Sequence, residues 1–155
     1  MKQKTRVTAE EGKPDLFITR EFDLPVNLLF KAHVEPELLE EWMGTTVLKF
    51  ESKKHGSYEI ETKDNKGNVA FRAHGVFHDF VPDQKITRTF EMMGSPFGVQ
   101  LEFMEFERLT DDTSKLTIHT VFKSLELRNQ LLQYPFEPGI NMAHNKLQEV
   151  VSKLK

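Results

Sequence analysis

Residues 18–44 read ITREFDLPVNLLFKAHVEPELLEEWMG, and the hydrophobic period changes twice within them. From Leu16 to Leu24, the apolar Leu16, Ile18, Phe22 and Leu24 alternate with Thr19, Glu21 and Asp23, the period of a strand with one buried face. Two residues break the pattern: Arg20 falls on the apolar face and Phe17 on the polar one. Pro25 suits the first turn of a helix, where its missing N–H costs nothing. Val26, Leu29, Phe30 and His33 then follow at i, i+3, i+4 and i+7, a single apolar stripe. Pro36 restarts the pattern. Leu38, Leu39, Trp42 and Met43 share one side of a second short helix, and Gly44 stands just beyond its end. Glu35, Glu37, Glu40 and Glu41 make a solvated face, those nearest its start favourably placed against the helix dipole. The stretch encodes strand, short helix, short helix, and the chain's single tryptophan lies at its end.

Outward from it, residues 1–15 are polar, carry Gly12 and Pro14, and read as a loose N-terminal arm ahead of one domain over 16–155. Val47–Ser52, Ser57–Thr62, Val69–Phe80, Lys85–Glu91, Val99–Arg108 and Lys115–Phe122 read as strands joined by short turns, which implies antiparallel pairing. Asp64–Asn68 makes a hairpin loop between two of them. Ser124–Tyr134 reads as a helix ended by Pro135 and Pro138. Asn141–Lys155 reads as a longer helix, with Ile140, Ala143, Leu147, Val150, Val151 and Leu154 on one stripe.

A chain of 155 residues suffices for one core without staples, and with no cysteine it has neither disulfides nor thiol chemistry. The charge is −3 with both signs interleaved, which argues against nucleic acid as a partner. No stretch approaches the ~20 apolar residues of a membrane span, and the expected location is the cytoplasm. Thirteen phenylalanines stand against two tyrosines, a composition that lines an apolar interior without polar handles.

The quoted stretch resembles the opening of the START-related, polyketide-cyclase-like (SRPBCC) superfamily, and is most similar to the branch named for the activator of heat-shock-protein ATPase. HGSYEIE (55–61), GVFHDFVPDQKITRTFE (75–91) and GINMAHNKLQEVVSKL (139–154) match in order and spacing. The chain departs from the family pattern at Met43, where a second tryptophan is usual, at Leu24, where alanine is usual, and at YPFEPG (134–139). The resemblance implies an α+β helix-grip fold: a curved antiparallel sheet of about six to seven strands wrapped around the C-terminal helix, with two short helices after the first strand. It implies a hydrophobic cavity between sheet and helix, and with the phenylalanine-rich strands it points to a small apolar or aromatic ligand. Residues expected to face that cavity are Trp42, Phe71, His74, Phe77, Arg88, Phe90, Met92, Met93, Phe97, Leu101, Phe103, His119 and Met142. The loop MMGSPFG (92–98), with its methionines and glycines, is read either as a gate at the cavity mouth or as a plain turn.

Chemistry-bearing residues are sparse. No catalytic or phosphate-binding motif is present, and no cofactor is called for. His74 and His78 lie on one strand with Cα atoms roughly 13 Å apart, too far to share a metal ion. Arg20 and Arg88 each lie between apolar neighbours and require partners, either a carboxylate or an acidic ligand group. A binding module is the leading reading. The alternatives are a cyclase, dehydratase or hydrolase using His74, His119 and Arg88, and a chaperone-interacting protein of the stress response. An exposed sheet edge offers a route to a homodimer.

Overall fold

The computed structural model describes residues 3–155. Its elements run β1 (Arg6–Thr8), β2 (Asp15–Phe22), α1 (Val26–Val34), α2 (Pro36–Met43), β3 (Thr46–Phe50), β4 (Ser57–Lys63), β5 (Val69–Val81), β6 (Lys85–Met92), β7 (Val99–Arg108), β8 (Ser114–Val121), α3 (Leu125–Leu131) and α4 (Phe136–Ser152). All eight strands form one antiparallel sheet in the order β1-β2-β8-β7-β6-β5-β4-β3. This is the expected α+β helix-grip arrangement with one more strand. No helix among the described residues is long and apolar enough to cross a membrane.

The extra strand comes from the expected arm, of which Met1 and Lys2 lie outside the described residues. Arg6–Thr8 pairs with Phe17–Thr19, leaving residues 3–5 and 9–14 outside regular structure. Its own apolar content is slight, so the anchoring is polar and comes from far along the chain. Asn141 Oδ1 accepts the Thr5 N–H at 2.9 Å, and Glu137 Oε2 accepts the Val7 N–H at 2.8 Å, both from α4. Arg128 of α3 donates to the carbonyls of Glu10 and Asp15. Nothing in residues 1–15 reveals these acceptors.

The opening stretch folds as its periods dictate. Leu16, Ile18, Arg20 and Phe22 of β2 are buried while Phe17 and Glu21 are exposed. Leu29, Phe30 and His33 of α1 are buried, as are Leu39 and Trp42 of α2. Gly44 ends α2 in the left-handed conformation at φ 65°, which a side chain would strain. At the far end, α4 begins at Phe136 rather than Asn141. Pro138 does not break it, because the N–H groups of a first turn have no helical acceptor to lose.

The core fills one end of the sheet's concave face. Phe22, Leu24, Leu29, Leu116, Leu147 and Val151 are almost wholly buried there. An aromatic run continuous with this core joins Phe30, Phe80, Phe77 and Tyr58 by ring contacts of 5.1–5.6 Å. Helix α4, about 25 Å long by its 17 residues, packs chiefly on α2, α1 and β1, with few approaches to the central strands.

Gly75 sits where β5 runs closest to its neighbours. A Cβ there would overlap the Thr89 carbonyl oxygen and press on the Tyr58 hydroxyl, which donates to that same carbonyl at 2.6 Å. Gly75→Ala is expected to cost roughly 1–3 kcal/mol by overpacking, read as a lowered urea midpoint with an unchanged slope.

Candidate functional site

Where α4 stands away from the sheet, a cavity of about 320 Å³ remains. Its floor is the inner face of β4–β8, contributing Tyr58, Ile60, Phe71, Phe90, Met104 and Ile118 among others. Its roof is helical: His33 from α1; Leu39, Trp42 and Met43 from α2; Ile140, Ala143 and His144 from α4. Trp42 ties the roof together. Its indole Nε1–H donates to the Ala32 carbonyl at 2.8 Å, and its ring lies 5.5 Å from that of His33 and 6.2 Å from that of His144. Met43, next to it, lines the cavity yet is substantially exposed, which places it at the mouth.

A polar row crosses the apolar floor. Arg88, Glu102 and Thr120 are cross-strand neighbours on β6, β7 and β8. Arg88 Nε donates to Glu102 Oε1 at 2.7 Å, and its guanidinium lies 5.1 Å from the Tyr58 ring centroid. Their side chains are only 20% and 14% exposed, and both line the cavity. Burial alone would lower the Arg88 pKa, but Tyr58 and Glu102 outweigh it and hold the guanidinium above its ordinary value. Burial drives the Tyr58 phenol well above its usual range. Thr120 is 3% exposed, and its hydroxyl has no hydrogen-bond partner among the described residues.

The two roof histidines are neutral at pH 7. Burial lowers His33 to about 4 and His144 to about 3, with Arg88 opposing charge on His33, and His33 and Arg20 opposing it on His144. His33 Nδ1–H donates to the Leu29 carbonyl at 2.8 Å. His144 Nδ1 lies 2.8 Å from the Thr5 hydroxyl, which also receives an N–H from Arg20 at 3.4 Å.

The structure brings five of the thirteen expected residues to the cavity: Trp42, Phe71, Arg88, Phe90 and Met92. The other eight lie elsewhere. Phe77 is fully buried in the core. His74 is on the outer face, hydrogen-bonded to Glu91 at 2.8 Å. His119 is also outside, bonded to Asp15 at 2.8 Å and stacked between Phe17 and Phe103. Leu101 and Phe103 alternate with the inward Gln100, Glu102 and Met104, so they occupy the opposite face of β7. Met93 is exposed, and Met142, 71% exposed, is on the solvent side of α4. Phe97 is buried and packs against Tyr134, in the link between α3 and α4, at 6.4 Å between centroids. The 92–98 loop thus divides its work: Met92 lines the cavity while Phe97 packs against the α3–α4 link. With His74 and His119 outside, the catalytic set expected for the enzyme reading does not assemble.

Arg20 does not find the expected carboxylate. Its Nη1 donates to Asn145 Oδ1 at 2.7 Å, and its guanidinium lies 5.0 Å from the Phe22 ring centroid. Burial lowers its pKa, with Asp23 opposing the shift. Amides and a ring face replace the ion pair here.

The family model described as activator of Hsp90 ATPase homolog 1-like protein matches residues 23–152. The chain belongs to that family. Among solved structures, protein Ms6760 from Mycobacterium smegmatis is similar at a TM-score of 0.83 and 18% identity, over 95% of this chain and 96% of that one. A solution structure from Arthrobacter aurescens is similar at a TM-score of 0.84 and 20% identity, over 96% and 91%. CalU16 from Micromonospora echinospora is similar at a TM-score of 0.67 and 15% identity, over 98% and 87%. At these identities the likeness establishes the fold and carries no activity. No curated protein matches by sequence.

In this family member, sequence reasoning missed His144, Tyr58, Gln100, Glu102, Met104 and Thr120 as cavity residues. Alternation was the available signal. Leu116, Ile118 and Thr120 share one face of β8, which sends His119 to the other. On β7 the apolar residues occupy both faces, so the pattern is uninformative there.

Two outcomes follow from the electrostatics. Removing one partner of the Arg88–Glu102 pair by Glu102→Ala is expected to destabilise by about 3–5 kcal/mol, with the double change Arg88→Met, Glu102→Leu recovering most of it, both read in urea unfolding. The histidines make stability fall with acid. Below about pH 6.5 the unfolded chain protonates both, whereas the folded chain does not until about pH 4 and about 3. Unfolding at pH 5 should cost on the order of 2 kcal/mol less per histidine than at pH 7, and His33→Gln should reduce that difference.

Proposed function

We infer that this domain is a binding module that encloses one small, largely apolar molecule between the sheet and α4. The observation that carries this reading is the cavity itself: about 320 Å³ of space lined chiefly by apolar and aromatic side chains, with a few converging polar groups. That is within the ~300–1,000 Å³ range of small-molecule sites and has their usual division of labour, apolar walls for affinity and few polar groups for orientation. A core evolved only for stability would be filled, because unfilled volume forfeits packing energy. Family membership supports a fold compatible with such a role.

Isothermal titration and native mass spectrometry against a panel of apolar and aromatic compounds test it. A single bound molecule is expected, with saturable quenching of Trp42, the only tryptophan and a wall of the cavity. Ligand at a hundredfold excess over its Kd should stabilise the fold by about 2.7 kcal/mol. Ala143→Phe, which places a ring in the cavity from α4, should weaken uptake by about tenfold or more while the chain still unfolds cooperatively. Absence of binding across the panel, or binding unaffected by Ala143→Phe, contradicts the reading.

A further inference from the structure

Apart from the Gln100 amide and the Arg88–Glu102 pair, three hydrogen-bonding positions bordering the cavity have no partner among the described residues. His33 uses its Nδ1 proton on the Leu29 carbonyl, which leaves Nε2 as a bare acceptor in the cavity wall. His144 has the opposite tautomer. Arg20 donates to Thr5 Oγ1, and the hydroxyl proton of the fully buried Thr5 finds no acceptor among the described residues other than His144 Nδ1, so the hydroxyl donates to that nitrogen. His144 Nε2 then carries a hydrogen, and it has no partner among the described residues. Thr120 Oγ1, nine-tenths buried and more, is likewise without one on the floor. An acceptor, a donor and a hydroxyl thus border one space, the two imidazoles packed on the same indole ring.

The charges in that space are closed. Arg88 Nε donates to Glu102 Oε1 at 2.7 Å, so each charge has its counter-charge beside it. An anionic ligand reaching the remaining N–H groups of Arg88 would meet the Glu102 carboxylate beside them, and a cationic one at Glu102 would meet Arg88. Either charge would enter a largely apolar space opposed by the second member of the pair, at a high desolvation cost. Around the polar positions lie the faces of Trp42, Phe71 and Phe90. The volume of about 320 Å³ is roughly twice the ~150 Å³ that holds one benzene.

We propose, resting on the binding role inferred above, that the cavity selects a neutral aromatic molecule of about two rings bearing a hydroxyl. That hydroxyl donates to His33 Nε2 and accepts from His144 Nε2–H or Thr120. A hydroxyl is the smallest neutral group that fills both roles at once.

NMR titrations at pH 7 with naphthalene, 2-naphthol and 2-naphthoate test this. 2-Naphthol is expected to bind about tenfold tighter than the other two, the size of one good hydrogen bond left unspent without it. His33→Phe should abolish that advantage while retaining naphthalene binding, which also reports that the variant is folded. His33→Gln, which keeps an acceptor, should restore part of it, and Thr120→Val should reduce it. Equal affinities, a preference for 2-naphthoate, or a 2-naphthol advantage that survives His33→Phe overturn the assignment and leave the binding role standing. Failure of all three probes to bind overturns both.

Discussion

The hydrogen bond from the Trp42 indole to the Ala32 carbonyl, 2.8 Å long, sets the spacing of the helical layer. It fixes α2 against α1, and α4 then packs on α2 with its His144 ring near the same indole. Because α4 rests on these two helices, it cannot also descend onto the central strands of the curved sheet. The core closes at the end where Leu147, Val150 and Val151 reach Phe22 and Leu24, and it stays open at the other. The cavity is therefore a consequence of how three helices share one sheet face, and its roof is as fixed as the core that holds them.

Electrostatics then determine what kind of space this is. A row of Arg88, Glu102 and Thr120 across the floor would be costly if any charge in it were unmatched. The Arg88–Glu102 pair closes the charge, and burial keeps both roof histidines neutral. What remains is an enclosure without net charge, with hydrogen-bonding capacity and large aromatic walls. In the proposed binding role, such an interior would discriminate by polarity and shape rather than by charge.

The sequence was informative where one period governed an element. Residues 16–44 read correctly as strand, helix and helix, and their faces followed, including the anomalous inward Arg20 and outward Phe17. It misled where chemistry was weighed above periodicity. His119 attracts notice as a histidine, yet β8 alternates strictly and sends it outward to Asp15. Met142 looks like cavity lining by type, but the stripe through Ala143, Leu147 and Val151 puts it on the solvent side of α4. Other features are not local at all. The arm becomes β1 because Glu137 and Asn141 supply acceptors more than a hundred residues away. The pairing of Arg88 with Glu102 depends on the register of β6 and β7, which neither strand specifies alone.

The methionines offer the most direct test of the central claim, that a small molecule occupies the space between the sheet and α4. Met43, Met92 and Met104 line it, whereas Met93 and Met142 are outside. In a chain labelled with carbon-13 at the methionine methyl groups, titration with 2-naphthol should shift the first three resonances to a common saturation point and leave Met93 and Met142 in place. Unmoved signals from Met43, Met92 and Met104, or shifts confined to Met93 and Met142, would contradict the account.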